Sequence, residues 1–172
     1  AGWQPYDPLR LNEKYGYGKS ADVITNAQFE ERFTEGNITR PSDGQAVKNA
    51  AFIHCAGSRD PDYLPYCSSV CCTASLKQAI RLKEQDPDAN AYIVYKELRT
   101  PGQAEDLYRK AQELGVIFIR SQNHTVKANG QLVVEAEDEL LGDTVELESL
   151  DMVVLATGMV PVSAFGRDVA KE

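Results

Sequence analysis

What this chain lacks narrows it first. No apolar run approaches the roughly 18 residues of a membrane-spanning helix, so none is expected. No charged-then-apolar leader opens the 172 residues, so no secretion signal is read and a cytoplasmic location is expected. The chain starts at Ala1 rather than Met, which points to a processed chain or a piece of a longer one. No Lys or Arg lies between Ala128 and Gly166, whereas eight acids do: Glu135, Glu137, Asp138, Glu139, Asp143, Glu146, Glu148 and Asp151. Elsewhere 18 acids meet 18 bases, so the net charge of −8 comes from that segment alone. An acidic chain without a basic stripe argues against nucleic acid as a partner. The acidic segment reads most simply as solvated turns and strand edges, and less simply as a docking surface for a basic partner. No Ser–His–Asp set or carboxylate pair stands out as hydrolytic.

What is present has the proportions of a globular domain, 42% hydrophobic and 26% charged, long enough for one domain or one plus part of another. Residues 1–45 read as an irregular segment pinned by Trp3, Tyr6, Tyr15 and Tyr17, with a short helix over Ala27–Phe33 capped by Asn26 and stopped by Gly36. Arg40-Pro41-Ser42-Asp43-Gly44 is rich in turn formers, so a domain boundary near residue 45 is expected. From Ala50 the pattern alternates. Strands are predicted at Ala51–His54, Ala91–Tyr95 and Val116–Ile119, with helices at Pro65–Gln85 and from Thr100 to about Leu114. In the first helix Val70, Ala74, Leu76, Lys77, Ile80 and Lys83 make one apolar and one basic face. The second opens on Thr100-Pro101-Gly102-Gln103, read as a capping box, and Gly115 ends it. This βαβαβ order predicts an α/β fold with a parallel sheet. Short strands around Asn129-Gly130 and Gly142-Asp143 then predict a β-meander, and Met152–Leu155 a strand returning to the sheet.

All four cysteines fall in one stretch, Cys55, Cys67, Cys71 and Cys72, spaced C-x11-C-x3-C-C. On the predicted helix, Cys67 and Cys71 would stack on one face about 6 Å apart along the axis. Cys55 would end the preceding strand, so four thiolates can surround a body several ångströms wide at a helix N-terminus, whose dipole favours an anion. That suits an iron–sulfur cluster. Other readings stay open. Structural zinc more often uses C-x2–4-C knuckles. Two disulfides would have to separate adjacent cysteines whose Cα atoms are about 3.8 Å apart. Unconnected core thiols are the plainest reading.

Beyond the cysteines, Tyr15-Gly16-Tyr17-Gly18, Arg40–Gly44, Cys55–Asp60, Tyr66–Cys72, Leu76–Ala79, Arg99–Gly102, Gly115–Arg120 and Asp151–Pro161 carry a family resemblance. Over nearly its whole length the chain resembles the A-subunit family of heterodisulfide reductase, including the flavoprotein subunits of the quinone-interacting membrane-bound oxidoreductase of sulfate reducers. The resemblance implies the Rossmann-like, remodelled pyridine-nucleotide domain of a thioredoxin-reductase-like flavoprotein. It implies a [4Fe–4S] cluster held by Cys55, Cys67, Cys71 and Cys72, with electron transfer inside an FAD-dependent oxidoreductase. By the same resemblance, residues 1–45 belong with the FAD-domain side, 46–162 form the iron–sulfur domain and 163–172 lead back to the FAD domain. Thr157 and Gly158 match a segment that approaches FAD. The implied partners are other subunits of an electron-transfer complex, with membrane association only through them.

The chain departs from the family where a G-x-G-x-x-G loop for FAD should stand, since it has none. It is therefore expected to be an internal portion that is not catalytic alone. At the first strand-to-helix turn only Gly57 remains of the glycines that would meet a pyrophosphate, so a cluster site is read as replacing an NAD(P) site. The rival readings are an NAD(P)-binding oxidoreductase domain, with Glu97 as its ribose acid, and a zinc-stabilised interaction module. His54 and His124 read as structural. Arg59, Lys77 and Arg81 read either as counter-charges near the cysteines or as plain solvated side chains.

Overall fold

The structure is a computed structural model that describes residues 2–34 and 36–162. In chain order it contains β1 (Trp3–Pro5), a 3-10 turn at Pro8–Leu11, α1 (Asn12–Tyr15), β2 (Val23–Thr25), α2 (Asn26–Arg32) and β3 (Asn49–Ile53). There follow α3 (Cys71–Gln85), β4 (Asn90–Tyr95), α4 (Ala104–Glu113), β5 (Ile117–Arg120), the strands β6 (His124–Asn129), β7 (Gln131–Asp138) and β8 (Asp143–Leu150), then β9 (Met152–Leu155) and β10 (Met159–Pro161). A five-stranded sheet runs β2-β9-β3-β4-β5, parallel throughout. β6, β7 and β8 form the predicted antiparallel meander, and β1 pairs with β10.

β2, β3 and β9 are buried on both faces, and the strand period of two sorts side chains into two cores. Ala51, Ile53, Val94, Ile119, Val153 and Leu155 pack toward the meander, with Val126, Val134, Leu147 and Tyr15. Ala50, Phe52, Ile93, Met152 and Val154 pack toward the helices, against Phe29, Leu76, Ile80 and Ala111. Phe29 anchors that side, edge-on to Phe33 at 5.0 Å and to Phe52 at 6.0 Å between ring centroids. The result is three layers, helices on sheet on meander.

Several boundaries differ from the sequence reading. The α2 cap is Thr25, not Asn26: Thr25 Oγ1 accepts from the Gln28 N–H at 3.2 Å while Gln28 Oε1 accepts from the Thr25 N–H at 2.9 Å. Asn26 is instead the first helical residue, and its amide donates to Ser75 Oγ and Gln78 Oε1 on α3. Those two polar residues are fully buried at the α2–α3 contact, where the sequence suggests only an apolar stripe. The Thr100–Gln103 capping box does not form; α4 begins at Ala104, and Thr100 Oγ1 donates to Glu105 at 2.8 Å. β2 has no counterpart in the sequence reading. It lies before the expected boundary near residue 45, yet it is the edge strand beside β9. The 163–172 tail lies outside the described residues.

The acidic segment is partly structural. Asp138 accepts from the Leu140 and Leu141 N–H groups in the β7–β8 turn, and Asp151 accepts from the Lys48 and Asn49 N–H groups. Among the described residues no helix is long and apolar enough to cross a membrane.

Candidate metal centre

From β3 the chain moves through β4 to β5 on one side, while β9 lies on the other. The order therefore reverses between β3 and β9, and their carboxyl ends open a crevice of the kind where open α/β sheets take ligands. The cysteines gather around it. Cys55 is two residues past β3, and Cys71 and Cys72 are the first residues of α3. Ala156-Thr157-Gly158 leaves β9 alongside: the Ala56 N–H donates to the Ala156 carbonyl at 3.1 Å, and Ser58 Oγ donates to the Thr157 carbonyl at 3.2 Å.

The long helix from Pro65 is a correction. Residues 65–70 are irregular and α3 starts at Cys71, so Cys67 does not stack on Cys71 one turn away. Val70, predicted on the apolar face, is the N-cap and 52% exposed. The Cys55–Cys67 spacer closes on itself instead. The Leu64 N–H donates to the Gly57 carbonyl at 2.9 Å, and the Arg59 N–H donates to the Tyr66 carbonyl at 3.2 Å. Cys55, Arg59 and Ser69 all hold positive φ, of 53°, 54° and 60°. For non-glycine residues that is strain, typical of ligand-holding turns.

All four thiols are free; Cys55 and Cys72 are buried, Cys67 and Cys71 half-buried. The disulfide reading is therefore not what the structure shows. Backbone N–H groups serve the sulfurs: Ser69 donates to Cys67 Sγ at 3.4 Å and Arg99 to Cys72 Sγ at 3.5 Å. α3 has no side-chain cap, so its first-turn N–H groups open toward the same place. Burial pushes the Cys71 thiol up to about 12, and Cys55, Cys72 and Cys67 add to the rise while the Gly158 backbone opposes it. Burial also raises Cys55, with Cys72 and Cys67 contributing and Arg59 opposing. It raises Cys72 too, against the Arg99 N–H. The thiols thus feel one another's charge. Among the described residues, no three His, Cys, Asp or Glu side chains are placed to hold a single metal ion. The donor set, four unpaired thiols with N–H donors around them, fits the chemistry of an iron–sulfur cluster.

Cys67 faces a cleft of about 430 Å³ lined by Trp3, Tyr66, Ser68, Ser69, Val70 and Met159. Thr157 and Gly158 are buried against the cysteine loop: a Cβ on Gly158 would overlap Ser58 Oγ and lie 2.7 Å from Ser68 Oγ. Glu97 follows β4, but one of its oxygens receives both Arg59 Nη2 and Arg99 Nη2 at 3.2 Å. His54 and His124 are buried without a hydrogen-bond partner on either ring nitrogen. Burial, with His124 adding, holds His54 down to about 3; burial with Lys96 and Lys14 holds His124 down to about 4, against the Ser121 backbone. Of the predicted counter-charges, Lys77 pairs with Glu30 at 2.9 Å and Arg81 donates to the Gly36 carbonyl at 3.1 Å, so both serve the α2 side. Only Arg59 attends the cysteines. Sequence reasoning passes over Arg99, Ser58 and Ser68 as site residues, although all three lie inside the segments that carry the family resemblance.

No family model matches the chain. Curated relatives do. The chain is 41% identical over 170 residues to the A subunit of the H(2):CoB-CoM heterodisulfide,ferredoxin reductase of Methanothermobacter thermautotrophicus, covering 93% of this chain and 26% of that one. It is 42% identical over 171 residues to the second of the iron-sulfur A subunits of the CoB–CoM heterodisulfide reductase of Methanopyrus kandleri, with coverage of 93% and 26%. Over nearly its whole length the chain is similar to an internal portion of heterodisulfide reductase A subunits. A third relative, the A subunit of the Ferredoxin/F(420)H(2)-dependent CoB-CoM heterodisulfide reductase of Methanosarcina acetivorans, is 42% identical over 172 residues, with coverage of 95% and 21%. This heterodisulfide-reductase-A-like chain thus spans about a quarter of the length of the relatives it matches. Its fold is similar to that of T. acidophilum thioredoxin reductase, with a TM-score of 0.53 at 12% identity over 96% of this chain and 44% of that one. The Rossmann-like reading of the sheet therefore holds.

Proposed function

We propose that Cys55, Cys67, Cys71 and Cys72 hold one [4Fe–4S] cluster, and that this segment relays electrons inside a larger heterodisulfide-reductase-A-like protein. One observation carries the reading: four unpaired thiols from separate stretches meet at the carboxyl edge of β3 and β9, beside an uncapped helix N-terminus. A cube spreads its ligands over its corners, whereas a tetrahedral zinc draws sulfurs to about 2.3 Å from one point. The C-x11-C-x3-C-C spacing, unlike the C-x2–4-C knuckles of structural zinc, supports the cluster over the zinc module. When bound, the cluster takes up and releases one electron at a time. The chain supplies the sulfurs, the N–H groups of Ser69 and Arg99 that temper their charge, and the cleft through which Cys67 nears the surface.

Donors and acceptors are other subunits of the assembly, and the segment is not catalytic alone. FAD belongs to the full-length protein in this proposal, with Thr157 and Gly158 as its approach from this side. Both are buried against the cysteine loop, which puts any flavin approach next to the thiols.

Anaerobic reconstitution with iron and sulfide tests the reading. The expected product is brown, with about four irons per chain and a spin-resonance signal on reduction. A colourless product that retains zinc instead overturns it.

A further inference from the structure

Arg59 stands out among the residues around the crevice. Its backbone is held at φ 54°, a left-handed conformation that costs a non-glycine residue stability. Its Nη2 sits 3.2 Å from Glu97 Oε2, but its Nη1 is buried and has no acceptor. A buried guanidinium nitrogen without a partner is costly. Its surroundings say what acceptor is missing. The Arg59 charge reaches both Cys55 and Cys72. The loop that carries Glu97 also wraps Cys72, whose Sγ lies 3.9 Å from the Glu97 carbonyl and accepts from the Arg99 N–H. Glu97 is already shared with Arg99, and the Arg59 carbonyl accepts from Lys96 Nζ at 3.4 Å. The side chain is thus anchored at one end, with its other nitrogen buried and unpaired.

We propose that Arg59 is a positioning residue of the cysteine site: its Nη1 donates an N–H bond to sulfur when the site is loaded, while Glu97 holds the guanidinium in place and partly offsets its charge. The proposal rests on the cluster reading above. Reduction adds negative charge to the centre. A cation and N–H donor beside it stabilises the reduced form more than the oxidised one and raises the potential. Removing Arg59 lowers the potential. Removing the Glu97 charge leaves Arg59 and Arg99 less compensated and raises it. A residue that only braces the loop does not produce opposite signs in two members of one ion pair.

The test is a redox titration of the full chain, reconstituted anaerobically with iron and sulfide and followed by spin resonance. Arg59→Gln is expected to load iron to the wild-type extent and titrate at lower potential, with Arg59→Lys between the two. Glu97→Gln is expected to titrate above wild type. If Arg59→Gln does not fold, Arg59→Lys below wild type and Glu97→Gln above it supply the opposite signs. Equal potentials in all the chains, or a Glu97→Gln value at or below wild type, overturn the role of Arg59 and leave the cluster reading standing. A wild-type chain that takes up no cluster overturns both.

Discussion

The Met159 N–H donates to Ser68 Oγ at 2.8 Å, which joins the cysteine loop to the start of β10 across 91 residues of chain. Ser68 is a neighbour of Cys67 in sequence, and Met159 follows Gly158. The loop that holds the first two thiols therefore closes through its own backbone bonds and is tied to a distant strand as well.

Gly158 should be the position least tolerant of a methyl group. It has φ +85°, and its added Cβ would overlap Ser58 Oγ and crowd Ser68 Oγ. Left-handed strain and overpacking together should cost Gly158→Ala about 2–4 kcal/mol. Gly102 has φ +61° with nothing within 4 Å, so Gly102→Ala should cost only about 1 kcal/mol. Urea denaturation of the two variants checks the difference. Equal losses would mean that the contact with the cysteine loop contributes nothing.

Each cysteine-to-serine variant should lose most of its iron after reconstitution, Cys71→Ser and Cys72→Ser included. Iron and sulfide analysis beside circular dichroism separates loss of a ligand from loss of fold. Any single variant that keeps the full iron complement and an unchanged spectrum removes that residue from the ligand set.

His124 should make the chain acid-sensitive. Its native pKa is held down to about 4, against 6.5 when unfolded. The unfolded chain therefore binds this proton below pH 6.5 and the native chain does not until about pH 4, so stability falls as pH drops through that window. Lys96, Lys14, His54 and Tyr15 face the ring, and Tyr15 lies 5.8 Å away between centroids. From pH 7 to pH 5 the share of His124 is about 2 kcal/mol. His124→Phe should keep the ring packing and flatten that part of the curve. An identical pH slope in the variant would show that His124 does not titrate on unfolding.

NAD(P)H should show no saturable binding. The strand-to-helix turn after β3 carries cysteines in place of phosphate-facing glycines, and Glu97 is engaged by Arg59 and Arg99. Fluorescence titration to millimolar cofactor checks this, and a saturating isotherm would restore the nucleotide-binding reading.

Much of the scaffold is legible in the sequence because it rests on local pattern. β3, β4 and β9 are continuous apolar runs, Asn129-Gly130 makes its hairpin, and Gly115 closes α4. The start of α3 is not legible there. Pro65 at a helical first turn is good local chemistry, yet residues 58–66 satisfy their backbone by folding back on Gly57 and Arg59 instead. β2 is hidden for a similar reason. Three residues carry no periodicity, and Val23–Thr25 is a strand only because β9 lies beside it.

The cysteine spacing, the βαβαβ order and the missing glycine loop belong to the sequence itself, because each is a matter of residue type and separation along the chain. Which groups surround the thiols belongs to the tertiary structure. Gly158, Ser68, Arg59, Glu97 and Arg99 come together only where the carboxyl ends of β9, β3 and β4 meet, and no local rule specifies contacts between residues so far apart.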